Sequence, residues 1–221
     1  MASGKTARGK TARNLARASL GAVAATGLLF GAVMPAGAAT PDRATPSVQT
    51  TSTVDPLGGS EHARKQQSKR FLELINQARQ HPELYPPHGH RAGAARTACP
   101  NELRWSRQLY STAGDHNRFL ATKPLSWVKT YPNMHRGPDG KLVWESGEPM
   151  DRAGYHSFRA EIVAWDSPDT EAAVRAWMQD DAASHWGHRN LILNCAIQEA
   201  GPGVPTASPG GHYYTVDMGN Q

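Results

Sequence analysis

The 221-residue sequence has no internal repeat, no P-loop, no dinucleotide fingerprint and no coiled-coil heptad. Solenoid, fibrous and phosphate-cradling architectures therefore have no support in it. Cysteine is nearly absent: Cys99 and Cys195 are the only two, and two lone thiols do not make a structural zinc site. Long apolar runs are absent as well. The best one, Leu20 to Met34, is built largely of Ala and Gly and falls short of the ~20 residues a membrane span needs. Acid is missing altogether from residues 1–39, which hold Lys5, Arg8, Lys10, Arg13 and Arg17. Those residues account for the whole formal charge of +5, since the other 19 of the 24 Lys and Arg balance 19 Asp and Glu. The basicity belongs to one segment, and no nucleic-acid face is left to explain.

That segment has the parts of a secretory signal: a basic start, an apolar run, and the small-residue sequence Ala36-Gly37-Ala38 as a cleavage site. An uncleaved membrane anchor is the alternative, disfavoured by the short, weakly apolar run. The basic region lacks an Arg-Arg pair, which favours the general export route over the twin-arginine one. A secreted, extracellular location follows, with no stable membrane span after cleavage. Outside the cell disulfides persist, and an even count of two reads most economically as one long-range bridge between Cys99 and Cys195. Closing a loop near 100 residues contributes about 4 to 5 kcal/mol in the chain-entropy model.

Residues 40–60 are rich in Thr, Ser, Pro and Gly and read as a flexible tether. The globular domain is expected over 61–221, where 38% apolar composition of the chain suffices for one core. Ser60 is a good N-cap for a helix running to Gln80, with Phe71, Leu74, Ile75 and Ala78 on one stripe and His81-Pro82 as its stop. A second helix is expected from about Glu102 to Ala121. His116 falls on its apolar stripe, where a buried imidazole paired to a carbonyl or hydroxyl is commoner than a ligand. Gly137-Pro138-Asp139-Gly140 signals a turn, with His135 at its entrance. Glu161 lies inside the apolar stretch Tyr155 to Trp165, a costly place for an acid unless it is paired or used. Ser167-Pro168-Asp169 starts a helix with Ala173, Val174 and Trp177 inside, and His212 to Gly219 reads as a closing strand.

Chemistry concentrates where elements end: His135, Glu161, Asp180, Asp181, His185 and His188. Two imidazoles with one or two carboxylates are the donor set of an open zinc site, and equally a set for general acid-base work. The pair His185-x-x-His188 lacks the Glu of the helical His-Glu-x-x-His zinc protease motif.

The order of these features resembles the CAP superfamily: cysteine-rich secretory proteins, antigen 5, pathogenesis-related class one proteins and their bacterial secreted relatives. The resemblance rests on Leu72 to Arg79, Ala113 to His116, His135 with Pro138-Asp139-Gly140, Gly154-Tyr155 before Glu161-Ile162, and Ala173-Val174-x-x-Trp177. Gly187-His188-Arg189-Asn190-x-Ile192-Leu193-Asn194 and the Tyr214-to-Gly219 strand complete it, so that it spans residues 65–219. It implies an α+β fold, a three-layer α-β-α sandwich with an antiparallel central sheet. It also implies a cleft of two histidines and two acids that holds a divalent metal, often zinc, in several members. Carried over by position, the metal ligands are His135 and His188, the first acid is Glu161 and the second is Asp180, with Asp181 as its competitor. The family's Gly-Glu-Asn-Ile is here Ala160-Glu161-Ile162-Val163, and His185 has no family counterpart.

Three readings follow. The first is a secreted, monomeric binding module for a small amphipathic molecule, a lipid, a cell-envelope component or a peptide, sterols and fatty acids being ligands of some family members. The second is a hydrolase in which zinc on His135 and His188 activates a water with Glu161 as base. Ser184, although next to His185, is not placed for a triad by adjacency alone. The third is a stable scaffold whose His/acid cluster only locks helices together. Fold resemblance does not choose a reaction.

Overall fold

The first helix, α1, runs Glu61–Gln80. Ser60 caps it, its hydroxyl accepting the Ala63 amide at 3.3 Å, and Phe71, Leu72, Ile75 and Ala78 are buried, as the apolar stripe requires. A computed structural model of the chain describes residues 60–89, 92–204, 206–208 and 211–221, all within one compact unit. The expected export segment, residues 1–39, and the expected tether apart from Ser60 lie outside the described residues. Among the described residues no helix is long and apolar enough to cross a membrane.

The second helix starts later than periodicity alone suggests. Arg104–Trp105 is a short strand, β1, and Ser106 then accepts the Leu109 amide at 3.2 Å to cap α2, Arg107–Leu120. Two single-turn helices follow, α3 at Leu125–Val128 and α4 at Pro149–Arg152, ahead of strand β2 at Phe158–Trp165. Helix α5, Thr170–Gln179, also starts late: Asp169 caps it through the Ala172 amide at 2.7 Å, while the Ser167 carbonyl accepts the Tyr214 hydroxyl at 3.1 Å. Helix α6 spans Gly187–Ile192, and β3 (Glu199–Pro202), β4 (Thr206–Ser208) and β5 (Gly211–Asn220) close the chain.

The fold is mixed α+β. Strand order is β1-β3-β5-β2, with β4 hairpinned onto β5. β5 pairs antiparallel with β2, from Phe158↔Asn220 to Trp165↔Tyr213, and antiparallel with β3 on its other side. β1, however, runs parallel to β3, so the sheet is mixed and the antiparallel expectation is corrected. Parallel pairing needs a long crossover, and the chain between Trp105 and Glu199, which includes α2, β2 and α5, supplies one.

Strand alternation sorts the sheet's side chains between two groups of helices. Ile162, Tyr214, Val216 and Met218 join Phe71, Ile75, Val174, Trp177 and Ile192 in one apolar cluster. Val163 and Tyr213 join Leu120 and Val128 in another. Glu161, two residues from Val163, therefore faces α2 rather than α1 and α5. Cys99 and Cys195 form the expected disulfide across 96 residues.

Candidate functional site

Glu161 sits at the centre of the first half of the site, and its side chain is wholly buried. Its Oε2 lies 2.5 Å from His116 Nδ1 on α2, and its Oε1 lies 2.8 Å from His135 Nδ1. His116 completes its pairing through Nε2, which donates to the Arg136 carbonyl at 3.2 Å. Burial by itself disfavours a charge on Glu161, but the His116 charge and hydrogen bonds from both imidazoles outweigh it, holding the carboxyl at about 2. The same exchange runs the other way at His116: burial opposes its charge, and Glu161 lifts its pKa above the ordinary value. These two groups form a buried ion pair.

His135 ends a 3-10 turn at Asn133–His135, and the turn that follows is fixed by Gly137 N donating to the Lys141 carbonyl at 2.8 Å. Behind Glu161, directly across the strand pair, lies Asp217. Burial, and then the neighbouring Glu161 charge, push its pKa well above the usual carboxylate range. Thr112 contacts both Asp217 Oδ2 and the Leu109 carbonyl, while Asp217 Oδ1 is buried without a partner. A hydroxyl has one proton, so Thr112 makes both hydrogen bonds only when Asp217 is protonated and donates to it.

The second half is built on the turn before α6. Asp181, itself buried, approaches His188 Nδ1 at 2.6 Å through Oδ1. Its Oδ2 accepts the backbone amides of His188 and Arg189 at 2.9 and 3.1 Å. A carboxylate at a helix start is thus satisfied by the donors that the helix leaves open. Ser184 donates to the same carboxylate. Arg189, 1% exposed, anchors the turn from behind, donating to the carbonyls of Ala95 at 2.6 Å and Tyr85 at 2.7 Å. Trp177 joins the halves: its Nε1 donates to the Val163 carbonyl at 3.2 Å, and its ring lies 6.3 Å from that of His188.

The structure thus gives His135 and His188 the same local arrangement, with Nδ1 against a buried carboxylate. Neither Nε2 takes a protein hydrogen bond, and neither is among the sealed, unpartnered atoms of the described residues. Asp180 lies elsewhere, exposed and 2.9 Å from His88 Nδ1, so the acid on His188 is its neighbour Asp181. His185 is exposed in a left-handed turn. His116 is satisfied partly by a carbonyl, as expected for a core imidazole, yet it belongs to the cluster through Glu161. Asp217 is the one member that sequence reasoning passed over. It carries the signal that flagged Glu161, an acid inside an apolar strand. Among the described residues no group of three or more His, Cys, Asp or Glu is placed to hold a metal ion.

A shallow pocket of about 160 Å³ lies between α1 and α5, lined by Leu74, Gln77, Tyr85, Glu171, Val174 and Arg175. It shares no residue with the site.

No curated protein matches the sequence. Among solved structures the chain is similar to an outer surface protein of Borrelia burgdorferi, at 18% identity and a TM-score of 0.43 over 71% of this chain and 94% of that one. It is similar to the CAP domain of enterococcal PrgA at 11% identity and a TM-score of 0.45, over 73% of this chain and 63% of that one. For venom allergen-like protein 4 of Schistosoma mansoni the figures are 13% and 0.38, over 73% of this chain and 89% of that one. The family model described as "Cysteine-rich secretory protein family" matches residues 72–218, from α1 to the end of β5. The chain belongs to the cysteine-rich secretory protein, or CAP, family.

Proposed function

We propose that this protein is an exported binding module whose His135 and His188 take up a divalent metal ion, zinc by donor type, together with a small amphipathic or cell-envelope ligand. One observation carries the reading: each imidazole is held through Nδ1 by a buried carboxylate while Nε2 is left without a protein partner among the described residues. Metal-binding histidines are oriented this way, the carboxylate fixing the tautomer and raising the basicity of the other nitrogen. The donors available are two nitrogens, because Glu161 and Asp181 face the Nδ1 atoms. That is one fewer than the three protein ligands usual at a catalytic zinc, so water or ligand atoms would complete the shell. Bound there, the metal would supply Lewis acidity toward a ligand oxygen. The export segment and the disulfide support an extracellular setting. The same reading takes the two helix groups as outer layers of a three-layer α-β-α sandwich, supported by their separate apolar clusters.

A hydrolase is less well supported. Glu161, the proposed base, has both oxygens occupied and a pKa of about 2, far from the neutral values that suit a general base. Ser184 spends its proton on Asp181 and accepts the Gly187 amide at 3.0 Å. The scaffold reading draws support from His116, both of whose nitrogens are used internally.

The deciding measurement is metal content and zinc affinity of the exported protein beside a His135→Ala/His188→Ala double variant. Stoichiometric zinc in the parent, lost in a folded variant, is the expected result. No metal in either, with a large loss of thermal stability in the variant, would leave the scaffold reading.

A further inference from the structure

The site is flanked by aromatic rings that neither the metal nor the carboxylates require. Tyr131 is 62% exposed, one of two large apolar residues on the surface among the described residues. Its ring stands 6.1 Å from that of His135, at 77°. Trp144, half-buried, lies 5.0 Å from the same imidazole, tilted at 57°. The two reach His135 from different segments. Tyr131 precedes the Asn133–His135 turn, which is tied by the His135 amide donating to the Pro132 carbonyl at 2.9 Å. Trp144 arrives from across the next turn, where Arg136 and Leu142 form a bridge and the Val143 amide donates to the His135 carbonyl at 3.0 Å. Backbone bonds therefore hold both segments against His135 before any ligand arrives.

We propose that Tyr131 and Trp144, with His135 between them, form a subsite for a neutral pyranose ring of a cell-envelope or cell-surface glycan. A sugar offers C–H groups on one face and hydroxyls around its edge. It needs a flat aromatic surface for the first and a nearby polar atom for the second. In the metal-free protein that atom is His135 Nε2, which has no protein partner among the described residues, and with a metal on Nε2 it would be a water held by the metal. Tyr and Trp supply such surfaces at small entropy cost, having two side-chain torsions each. Other ligand chemistries fit less well. A quaternary ammonium ion suits aromatic faces but gives His135 no hydrogen bond. An anion meets the negative π-faces. A lipid tail needs an apolar channel, and the α1–α5 pocket, at about 160 Å³, is small against the 300–1,000 Å³ typical of ligand sites and lies on other residues.

This inference rests on the binding-module reading for its location but not on the metal. The test is titration of the exported protein with chitotetraose and with cellotetraose, before and after chelation, read by tryptophan fluorescence and calorimetry. Saturable binding of either sugar is expected. Tyr131→Ala and Trp144→Ala should each weaken it about tenfold, and Tyr131→Phe or Trp144→Phe should stay within about threefold of the parent. Leu84→Ala, at the other exposed apolar residue, should leave it unchanged. Tyr131 is exposed, so its loss does not threaten folding. Binding that survives chelation keeps the glycan subsite even if zinc uptake fails. Zinc uptake without saturable binding of either sugar, or sugar binding untouched by both alanine variants, overturns the subsite and leaves the metal reading standing.

Discussion

His185 and Trp186 are consecutive residues in the left-handed region, at φ 55° and 65°. Two such L-residues in a row are a costly way to make a turn, each worth roughly 1–2 kcal/mol against right-handed backbone. The turn brings the amides of His188 and Arg189 onto Asp181, so the strain is spent on orienting one imidazole. The two residues differ in what replacement removes. Trp186 is 1% exposed and fills the core beneath the turn, whereas His185 is exposed and is held in the turn only by its backbone. His185→Gly should therefore raise unfolding stability by about 0.5–1 kcal/mol, the relief of left-handed strain less glycine's extra chain entropy. Urea unfolding of the variant checks this, and zinc affinity should not change. The sequence marked His185 as a residue with no family counterpart, and the structure places it as the first of two left-handed residues in the turn ahead of α6.

At the level of elements, much was legible and the misses share a cause. α1 was readable to within a residue because cap, stripe and stop all lie in its own sequence. β2, α5 and β5 were readable in kind but not to the residue at the α5 start, where Ser167 and Asp169 are both good caps. The choice was made by Tyr214, distant in sequence, whose hydroxyl takes the Ser167 carbonyl. β1, β3 and β4 are two to four residues long and exist only through their partners, so no local periodicity announces them. In the site, Glu161, His135 and His188 were visible as residue types in costly or terminal positions. That Asp181 rather than Asp180 holds His188 was not, because the choice depends on how the chain turns between α5 and α6. The contact between α2 and β3 was likewise hidden, although Gly201 encodes it. A Cβ at Gly201 would lie 2.0 Å from Tyr110 N and 2.2 Å from Leu109 C, backbone atoms that cannot step aside. Gly201→Ala should cost about 3 kcal/mol or more. Gly114→Ala, within α2, has only the Arg118 side chain at 3.7 Å and should be neutral or stabilising by up to about 1 kcal/mol. Thermal unfolding of the two variants side by side tests whether α2 sits on β3 this closely.

The buried cluster makes the pH dependence of the whole molecule a readout of the site. Glu161 has its pKa depressed from 4.5 to about 2, so its stabilising contribution is complete above 4.5 and is lost as pH falls toward 2. His116 is raised above 6.5, so its contribution is complete below 6.5 and is lost as pH rises through the raised value. The ion pair therefore contributes fully between about pH 4.5 and 6.5. Asp217 works in the opposite sense to Glu161. Its pKa is raised well above 3.8, so the neutral form favours folding below 3.8, and stability drains away as pH climbs from there toward the folded-state value. Within that range the loss approaches about 1.4 kcal/mol per pH unit from this one residue. An amide keeps the neutral, hydrogen-bonding character that the fold selects at this position and removes the titration. Asp217→Asn should accordingly match the parent near pH 4 and gain on it steadily as pH rises, a widening gap that urea unfolding at pH 4, 6 and 8 measures directly. A constant gap at all three values would mean that Asp217 is ionised in the fold, with Thr112 giving its proton to the carboxylate instead of to Leu109. The charge balance around Glu161 and His116 would then have to include a second buried anion.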